Sequence, residues 1–222
     1  MTSSAEPTGD SICGILVCGG ASSRMGIDKA KLQLQGRSFA WHCRQRFSGF
    51  RSWCAVGAFG SEVLEDLRGV PWLNDTVADR GPLEGLSVGL AWAQERAAWA
   101  FVSTIDVPLI EIKLAGLFLK ALSSTSEIVM PSWGGHRYGL TALYKSDIAG
   151  RLRKLVDEGF RKVSDLPLHF ETRMVDEATV RGVDRNLESF SRINTREEYQ
   201  AFLDALNGFG SRQGKPKKGR GD

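Results

Sequence analysis

The sequence predicts a single α/β domain in which helices cover both faces of a mainly parallel central sheet, a three-layer α/β/α architecture. The first observation behind this prediction is the continuous apolar run Ile12–Val17, because strands of parallel sheets are buried on both faces. The second is that strand-like and helix-like segments alternate along the chain. The third is the size, since 222 residues, 42% of them hydrophobic, suit one domain with a large core.

The predicted strands are short, mainly apolar segments that lie between the predicted helices. The first ends directly in a glycine-rich loop, and the strand at 99–105 ends at Asp106. In chain order, strands are predicted at Ile12–Val17, 52–58, 70–75, 99–105, 127–132, 138–144 and 170–178.

Several predicted helices begin at residues suited to helix N-termini. Ser38 is placed to cap the first helix, and Ser61 opens the second. Pro82 suits the first turn of the third helix, and Thr195 with Glu198 forms a capping box before the last. In chain order, helices are predicted at 38–47, 61–67, 81–98, 112–122, 146–159 and 195–206.

The composition changes at both ends of the chain. We expect residues 1–10 to be disordered, residues 11–207 to form the domain, and residues 208–222 to be a disordered basic tail. The tail holds five basic residues against one acidic residue, so it accounts for the formal net charge of +3 and leaves the body nearly neutral. A solvated tail explains this composition better than a nucleic-acid site, so no nucleic-acid partner is expected.

Two other classes of protein are disfavoured. No apolar run approaches the roughly 20 residues needed to span a membrane, and the first residues lack the features of a signal peptide, so a cytoplasmic protein is expected. The four cysteines form no Cys-x-x-Cys pair and the three histidines are scattered, which argues against a zinc site.

The loop after the first strand, "LVCGGASSRMGIDKAKL", has the composition of a polyphosphate site. Gly19 and Gly20 allow backbone amides to approach a ligand closely, and Arg24 and Lys29 add two cations. The spacing matches neither a P-loop nor a dinucleotide fingerprint. A glycine-rich connection with a solvated arginine and lysine is the alternative.

Two further segments place carboxylates beside predicted strand ends. Asp106 ends the strand at 99–105, where a carboxylate can hold Mg²⁺ together with nucleotide phosphates. In "NDTVADRGPLEGL", Asp75 and Asp79 precede Gly81, which would let the chain approach a ligand. Each carboxylate could instead serve a turn or a helix cap. Together with the glycine-rich loop, they indicate a site for a magnesium nucleoside triphosphate.

At these motifs the sequence resembles a known family. "LVCGGASSRMGIDKAKL", "GPLEGL", "TIDVPL" and "INTREE" occur in the order and spacing of the molybdenum cofactor guanylyltransferases, a group within the Rossmann-like nucleotidyltransferases. The resemblance covers roughly residues 12–207. It implies the Rossmann-like nucleotidyltransferase fold and Mg²⁺ as cofactor. The implied reaction is transfer of GMP from GTP to the phosphate of molybdenum-bound molybdopterin, with release of pyrophosphate.

The resemblance also implies roles for individual residues. Asp106 matches the magnesium aspartate, and it forms the catalytic set with Arg24 and Lys29, which match the cations around the triphosphate. Asp79 best matches an aspartate that contacts guanosine, although a one-residue gap leaves Asp75 open. The nucleotide-binding set is Val17, Cys18, Gly19, Gly20, Lys29, Asp75, Asp79, Gly81 and Asp106. Arg192 and Asn194 match the acceptor side, with Arg192 in place of the family's asparagine.

The resemblance leaves alternatives for substrate and activity. Adjacent glycines after the first strand accompany guanine in this family, which favours GTP over CTP. CTP with molybdopterin, another phosphorylated acceptor, or a non-catalytic GTP-binding module remain the rivals, and Asp106 argues against the last. The implied partners are GTP, molybdopterin and molybdoenzyme-maturation proteins, without nucleic acid or membrane.

Overall fold

The computed structural model describes residues 11–19, 31–193 and 195–212. Several predicted features lie outside these residues: the segments 1–10 and 213–222, the loop residues Gly20, Arg24 and Lys29, and Asn194.

Within the described residues, an eight-stranded sheet forms the centre of the molecule and a two-stranded hairpin stands beside it. In chain order the strands are β1 (Ile12–Val17), β2 (Gln33–Leu34), β3 (Arg37–Ser38), β4 (Trp53–Gly57), β5 (Trp72–Asn74), β6 (Trp99–Thr104), β7 (Ile128–Trp133), β8 (His136–Arg137), β9 (Ala142–Lys145) and β10 (Thr172–Val175). The helices are α1 (Phe39–Phe47), α2 (Pro82–Ala93), α3 (Lys113–Lys120), α4 (Ala149–Asp157), α5 (Glu177–Arg181) and α6 (Arg196–Arg212). None of these helices is long and apolar enough to cross a membrane.

The sheet is mainly parallel, as predicted. Its order is β10-β7-β9-β6-β1-β4-β5, and β8 pairs with β7 at the side of this path. Strands β6, β1, β4 and β5 run parallel to one another, and so do β7 and β10. Strand β9 is antiparallel to both of its neighbours, β6 and β7, and it joins the two parallel groups.

Two apolar clusters cover the two faces of the sheet and make the three layers. One cluster contains Ile15 and Val17 of β1 and packs against helices α2 and α4. The other contains Leu16 and packs against α1, α3 and α5. Successive side chains of a strand point to opposite faces, so a strand buried on both sides must be apolar at every position. The unbroken apolar run of β1 has this cause.

A third cluster attaches α6 to the β2–β3 hairpin. Phe39 of α1 and Ile193 are buried in it, and Tyr199 and Phe202 pack against them. The capping box is confirmed, because Thr195 and Glu198 exchange hydrogen bonds between backbone amides and side-chain oxygens at 3.1 Å each. Helix α6 continues to Arg212, past the boundary predicted at 207.

The structure corrects several predicted elements. The helix predicted at 61–67 is wrong: Leu64 is extended, and only a single 3-10 turn forms at Glu65–Leu67. The residues of 170–178 divide into β10 and the short helix α5, which begins after the capping side chain of Asp176. The two-residue strands β2, β3 and β8 were not predicted, because pairs this short leave no periodic pattern. The cap predicted at Ser38 and the position predicted for Pro82 in the first turn of α2 are confirmed.

Candidate active site

The candidate site lies where four parallel strands end together. The register pairs Val17 of β1 with Val56 of β4 and with Thr104 of β6, and Gly57 of β4 with Asn74 of β5. The residues that follow these strands therefore share one edge of the sheet. In open α/β sheets this carboxyl edge is where ligands bind.

A cavity of about 330 Å³ opens at this edge, and we refer to it as the nucleotide cavity because residues of the predicted nucleotide-binding set line it. It is lined by Val17, Gly19, Ala58, Phe59, Asp75, Ala78, Asp79, Gly81, Pro82 and Gly85. Of the residues in the predicted nucleotide-binding set, the structure thus brings together Val17, Gly19, Asp75, Asp79 and Gly81.

Asp75 is the most unusual group in the nucleotide cavity. Its carboxylate lies between two glycines: a Cβ on Gly19 would be 3.3 Å from Oδ2, and a Cβ on Gly85 would be 3.2 Å from Oδ1. Oδ1 is buried and has no hydrogen-bond partner among the described residues. Burial, and then the nearby charge of Glu84, raise the pKa of Asp75 to about 7. A buried acceptor without a partner is a natural contact for ligand N–H groups.

The other aspartate of this segment is placed differently. Asp79 also lines the nucleotide cavity, but it is exposed to solvent. Its backbone is left-handed, with φ of 60°, which aspartate tolerates better than most residues. Gly81, just before α2, has φ of 72° and ψ of −170°, a conformation open almost only to glycine. The turn into α2 therefore requires Gly81.

Asn74, the last residue of β5, holds the loop that follows β4. Its side-chain amide donates to the carbonyl of Ala58 at 2.8 Å and to the carbonyl of Ser61 at 2.9 Å. The amide of Ser61 donates in turn to the Ala58 carbonyl at 3.0 Å. Phe59 and Gly60 lie between these anchors, so the loop carrying Phe59 is fixed against the strand end that carries Asp75.

A buried carboxylate holds the segment between β5 and α2. Glu84, in the first turn of α2, is fully buried. Its Oε1 accepts from the amide and hydroxyl of Thr76 at 3.1 and 2.6 Å, and from Arg153 of α4 at 2.9 Å. Asp157 accepts from both Arg153 and Arg80. This ionic network connects both ends of the segment 76–80 to α4.

Hydrogen bonding keeps Glu84 ionised despite its burial. Burial acts to raise the pKa of Glu84, but the hydrogen bonds from Arg153 and Thr76 outweigh it, so the pKa lies below its ordinary value. Glu84 therefore stays negative beside Asp75, which helps to keep a proton on Asp75 near neutral pH.

Asp106 follows β6, next to the end of β1. The amide of Ile105 donates to the carbonyl of Val17 at 3.0 Å, and the hydroxyl of Thr104 donates to Oδ1 of Asp106. Within the described residues, no group of three or more His, Cys, Asp or Glu side chains is arranged to hold a metal ion. One carboxylate suits Mg²⁺ bound with a nucleotide, because Mg²⁺ takes its other ligands from phosphates and water.

A second cavity of about 400 Å³ lies beside the first, and the two share Pro82. We refer to it as the acceptor cavity because Arg192, which is predicted for the acceptor side, lines it. It is lined by Pro82, His136, Arg137, Tyr138, Gly139, Leu140, Val163, Ser164 and Arg192. Tyr138 packs on Trp133 with ring centroids 4.4 Å apart, and Phe190 packs edge-on against both. The cavity thus combines cationic side chains with an aromatic wall.

Arg192 connects the acceptor cavity to Asp106. The next residue, Ile193, donates its amide to the carbonyl of Asp106 at 3.3 Å. Arg192 itself is exposed and lines the acceptor cavity. Arg192, one of the two residues predicted for the acceptor side, is therefore one position away from a residue that bonds to the backbone of Asp106.

Cys18 does not line the nucleotide cavity. Val17 and Cys18 point to opposite faces of the sheet, and Cys18 packs against the cluster that contains α1. The amides of Cys18 and Gly19 both donate to the carbonyl of Val56, at 2.7 and 3.2 Å. In the described residues these two amides thus complete the sheet, whereas a phosphate contact was expected of Gly19. The contacts expected of Gly20, Arg24, Lys29 and Asn194 lie outside the described residues.

Sequence reasoning missed four residues of the site: Phe59, Asn74, Glu84 and Arg153. An aromatic residue flanked by small residues in "GAFGS" directly after a predicted strand is a signal for Phe59. Asn74 lies within the strand predicted at 70–75, and no sequence pattern marks its side chain as an anchor for another loop. The pairing of Glu84 with Arg153 spans 69 residues, and no local pattern reveals it.

The chain is similar to known proteins in both sequence and fold. The family described as "MobA-like NTP transferase domain" matches residues 14–174. A Mycobacterium marinum protein named "Probable molybdenum cofactor guanylyltransferase" is 34% identical over 177 residues, which cover 74% of this chain and 83% of that protein. A Mycobacterium tuberculosis protein of the same name is 35% identical over 160 residues, covering 70% and 78%. A molybdopterin-guanine dinucleotide biosynthesis protein A from Archaeoglobus fulgidus shares the fold, with a TM-score of 0.75 at 20% identity, covering 88% of this chain and 98% of that one.

Proposed function

Because the chain belongs to the MobA-like NTP transferase domain family, we propose that it transfers GMP from GTP to the phosphate of molybdenum-bound molybdopterin and releases pyrophosphate. The observation that carries this proposal is the pair of adjoining cavities at the carboxyl edge, with Asp106 beside them. Two adjoining cavities suit a reaction that joins two substrates. The names of the relatives support the choice of substrates.

The guanine base is assigned to the nucleotide cavity, with Asp75 as its hydrogen-bond acceptor. The Watson–Crick edge of guanine presents two adjacent donors, N1–H and the 2-amino group, and a carboxylate has two oxygens to accept them. Cytosine presents only one donor there, its 4-amino group. Asp75 is preferred to Asp79 because its Oδ1 is buried without a partner among the described residues. Asp79 is left to the exposed rim of the cavity.

The triphosphate is assigned to the loop after β1, where Arg24 and Lys29 offset the charge that builds on the departing pyrophosphate. Gly20 lets the backbone approach the phosphates closely. Asp106 would hold Mg²⁺, which when bound neutralises charge on the phosphates. These assignments keep the catalytic set implied by the resemblance: Arg24, Lys29 and Asp106.

The acceptor is assigned to the acceptor cavity. Arg192 and Arg137 are cations suited to the phosphate of molybdopterin, and the aromatic wall at Tyr138 suits a flat pterin ring. Asn194 is assigned to the same side. An oxygen of the acceptor phosphate attacks the α-phosphorus of GTP, and the bond from that phosphorus to the β-phosphate oxygen breaks. Positioning suffices, and no covalent intermediate with the protein is needed.

We also place the activity in the cytoplasm, with molybdoenzyme-maturation proteins as the recipients of the product. The second assignment follows from the proposed product, which is a cofactor that must be delivered to an apoenzyme.

A pyrophosphate-release assay with each nucleoside triphosphate, with and without molybdopterin, tests the proposal. We expect release only when GTP and molybdopterin are both present. CTP as the sole active nucleotide would identify a cytidylyltransferase. Equal release from GTP without molybdopterin would mean hydrolysis or a different acceptor. Nucleotide binding without any release would support the non-catalytic alternative.

A further inference from the structure

Phe59 is a large apolar side chain that lies open to solvent at the nucleotide cavity. It is 60% exposed, and it lines the cavity together with Asp75. The other large apolar residues that the structure describes as exposed do not line this cavity: Val63, Val77, Leu168 and Met174. An exposed aromatic ring in the wall of a cavity leaves apolar surface in water until a ligand covers it.

The loop that carries Phe59 is held rigidly at both ends. Asn74 fixes the carbonyls of Ala58 and Ser61, and Gly60 between them has φ of 68°. Just before the loop, the ring of Trp72 lies where a side chain at Gly57 would be, because a Cβ there would come within 2.3 Å of it. A rigid loop loses little conformational entropy when its side chain packs on a ligand.

The base of this loop lies next to Asp75. A Cβ on Gly19 would be 3.1 Å from the amide nitrogen of Ala58 and 3.3 Å from Oδ2 of Asp75, so both groups contact Gly19. Asn74 and Asp75, two consecutive residues at the end of β5, therefore have two different roles at the cavity. Asn74 fixes the loop that carries the aromatic ring, and Asp75 supplies the buried acceptor oxygen.

We propose that Phe59 stacks on the face of the nucleobase whose edge is bound by Asp75. This inference rests on the proposed function, because it takes a nucleotide as the ligand of the cavity. An acceptor for the edge of the ring and an aromatic surface for its face together describe a site for a flat heteroaromatic base. Phe59 contributes to nucleotide affinity through the base and not through the phosphates.

The test compares Phe59→Ala with Phe59→Trp, which keeps an aromatic ring, and with Val63→Ala as the control in the same region. Isothermal titration calorimetry measures the Kd of each protein for GTP and for tripolyphosphate, which lacks the base. We expect Phe59→Ala to weaken GTP about tenfold and to leave tripolyphosphate unchanged. Phe59→Trp and Val63→Ala should bind GTP within about twofold of the unmodified chain.

Three results would overturn the inference. The first is an unchanged GTP affinity in Phe59→Ala, and the second is an equal loss for GTP and tripolyphosphate. The third is an unmodified chain that binds tripolyphosphate as tightly as GTP. If Phe59→Ala loses GTP affinity as expected but the chain releases no pyrophosphate with molybdopterin, then stacking stands and the proposed transfer fails.

Discussion

At the scale of single residues, the two glycines around Asp75 create its properties. Gly19 and Gly85 leave room for a half-buried carboxylate whose Oδ1 is buried and which opens to the nucleotide cavity on one side. The same burial raises its pKa to about 7, so a small change of pH near neutrality changes its charge. A ligand that donates hydrogen bonds to Asp75 should stabilise the ionised form.

The raised pKa predicts a specific pH dependence of stability. In the unfolded chain Asp75 titrates near 3.8, and in the folded chain near 7. Between these values the folded chain keeps a proton that the unfolded chain has lost, so stability decreases as pH rises. Replacing Asp75 by Asn removes this decrease. The difference in the free energy of unfolding between Asp75→Asn and the unmodified chain, measured in urea, should therefore depend on pH. It should shift in favour of Asp75→Asn by about 1–2 kcal/mol between about pH 4 and about pH 8, a value that allows for screening by water in the cavity.

A pH-independent difference between the two proteins would contradict the assigned titration of Asp75. Asp79→Asn is the matched control, because Asp79 lines the same cavity but is exposed. Its effect should be small at both pH values.

The sequence identified both aspartates as candidates, and the resemblance favoured Asp79 while leaving Asp75 open. The choice depends on burial, which arises from the packing of β1, β4 and α2 around Asp75. Phe59 escaped prediction for a related reason. Phe59 reaches the cavity because the side-chain amide of Asn74 donates hydrogen bonds to the loop that carries Phe59. Asn74 and this loop are distant in the sequence, so no local sequence pattern shows that they meet.

At the scale of elements, α2 is fixed at its start by the network of Glu84. The network joins α2, α4 and the segment 76–80, and this segment carries Ala78 and Asp79, two of the residues that line the nucleotide cavity. Because Glu84 is fully buried, loss of its charge leaves Arg153 with a weakened partner.

Glu84→Gln should therefore lower the free energy of unfolding by about 2 kcal/mol at neutral pH, as measured in urea. Glu95→Gln is the control, because the Glu95 side chain is 81% exposed and its pairing with Arg96 adds little. Glu95→Gln should change stability by less than about 0.5 kcal/mol. Equal effects of the two substitutions would mean that the network does not stabilise this end of α2.

The elements themselves were partly predictable. Continuous apolar runs identified β1, β4 and β6, because burial on both faces leaves a strong pattern. The helix predicted at 61–67 does not form, because the carbonyl of Ser61 accepts a hydrogen bond from the side chain of Asn74 and the chain is extended at Leu64. Ser61 was predicted to begin a helix, but it anchors the loop to Asn74 instead.

At the scale of the whole molecule, strand order brings the site together. The parallel group β6-β1-β4-β5 ends at the nucleotide cavity and Asp106, whereas β8 and the residues after it line the acceptor cavity. The three-layer architecture was predictable, because strands and helices alternate along the sequence. The resemblance to the guanylyltransferase family is confirmed by the match to the MobA-like NTP transferase domain family and by the relatives of that name. The antiparallel placement of β9 was not predictable, because pairing between distant strands leaves no local signal.

Asp106→Asn tests most directly whether this edge performs nucleotidyl transfer. The substitution removes the charge that would hold Mg²⁺ and keeps an oxygen for the hydroxyl of Thr104, so the melting temperature should change little. We expect pyrophosphate release with GTP, Mg²⁺ and molybdopterin to fall by about 10²–10³-fold. Turnover close to that of the unmodified chain, with the same requirement for Mg²⁺, would contradict the assignment of the active site to this edge.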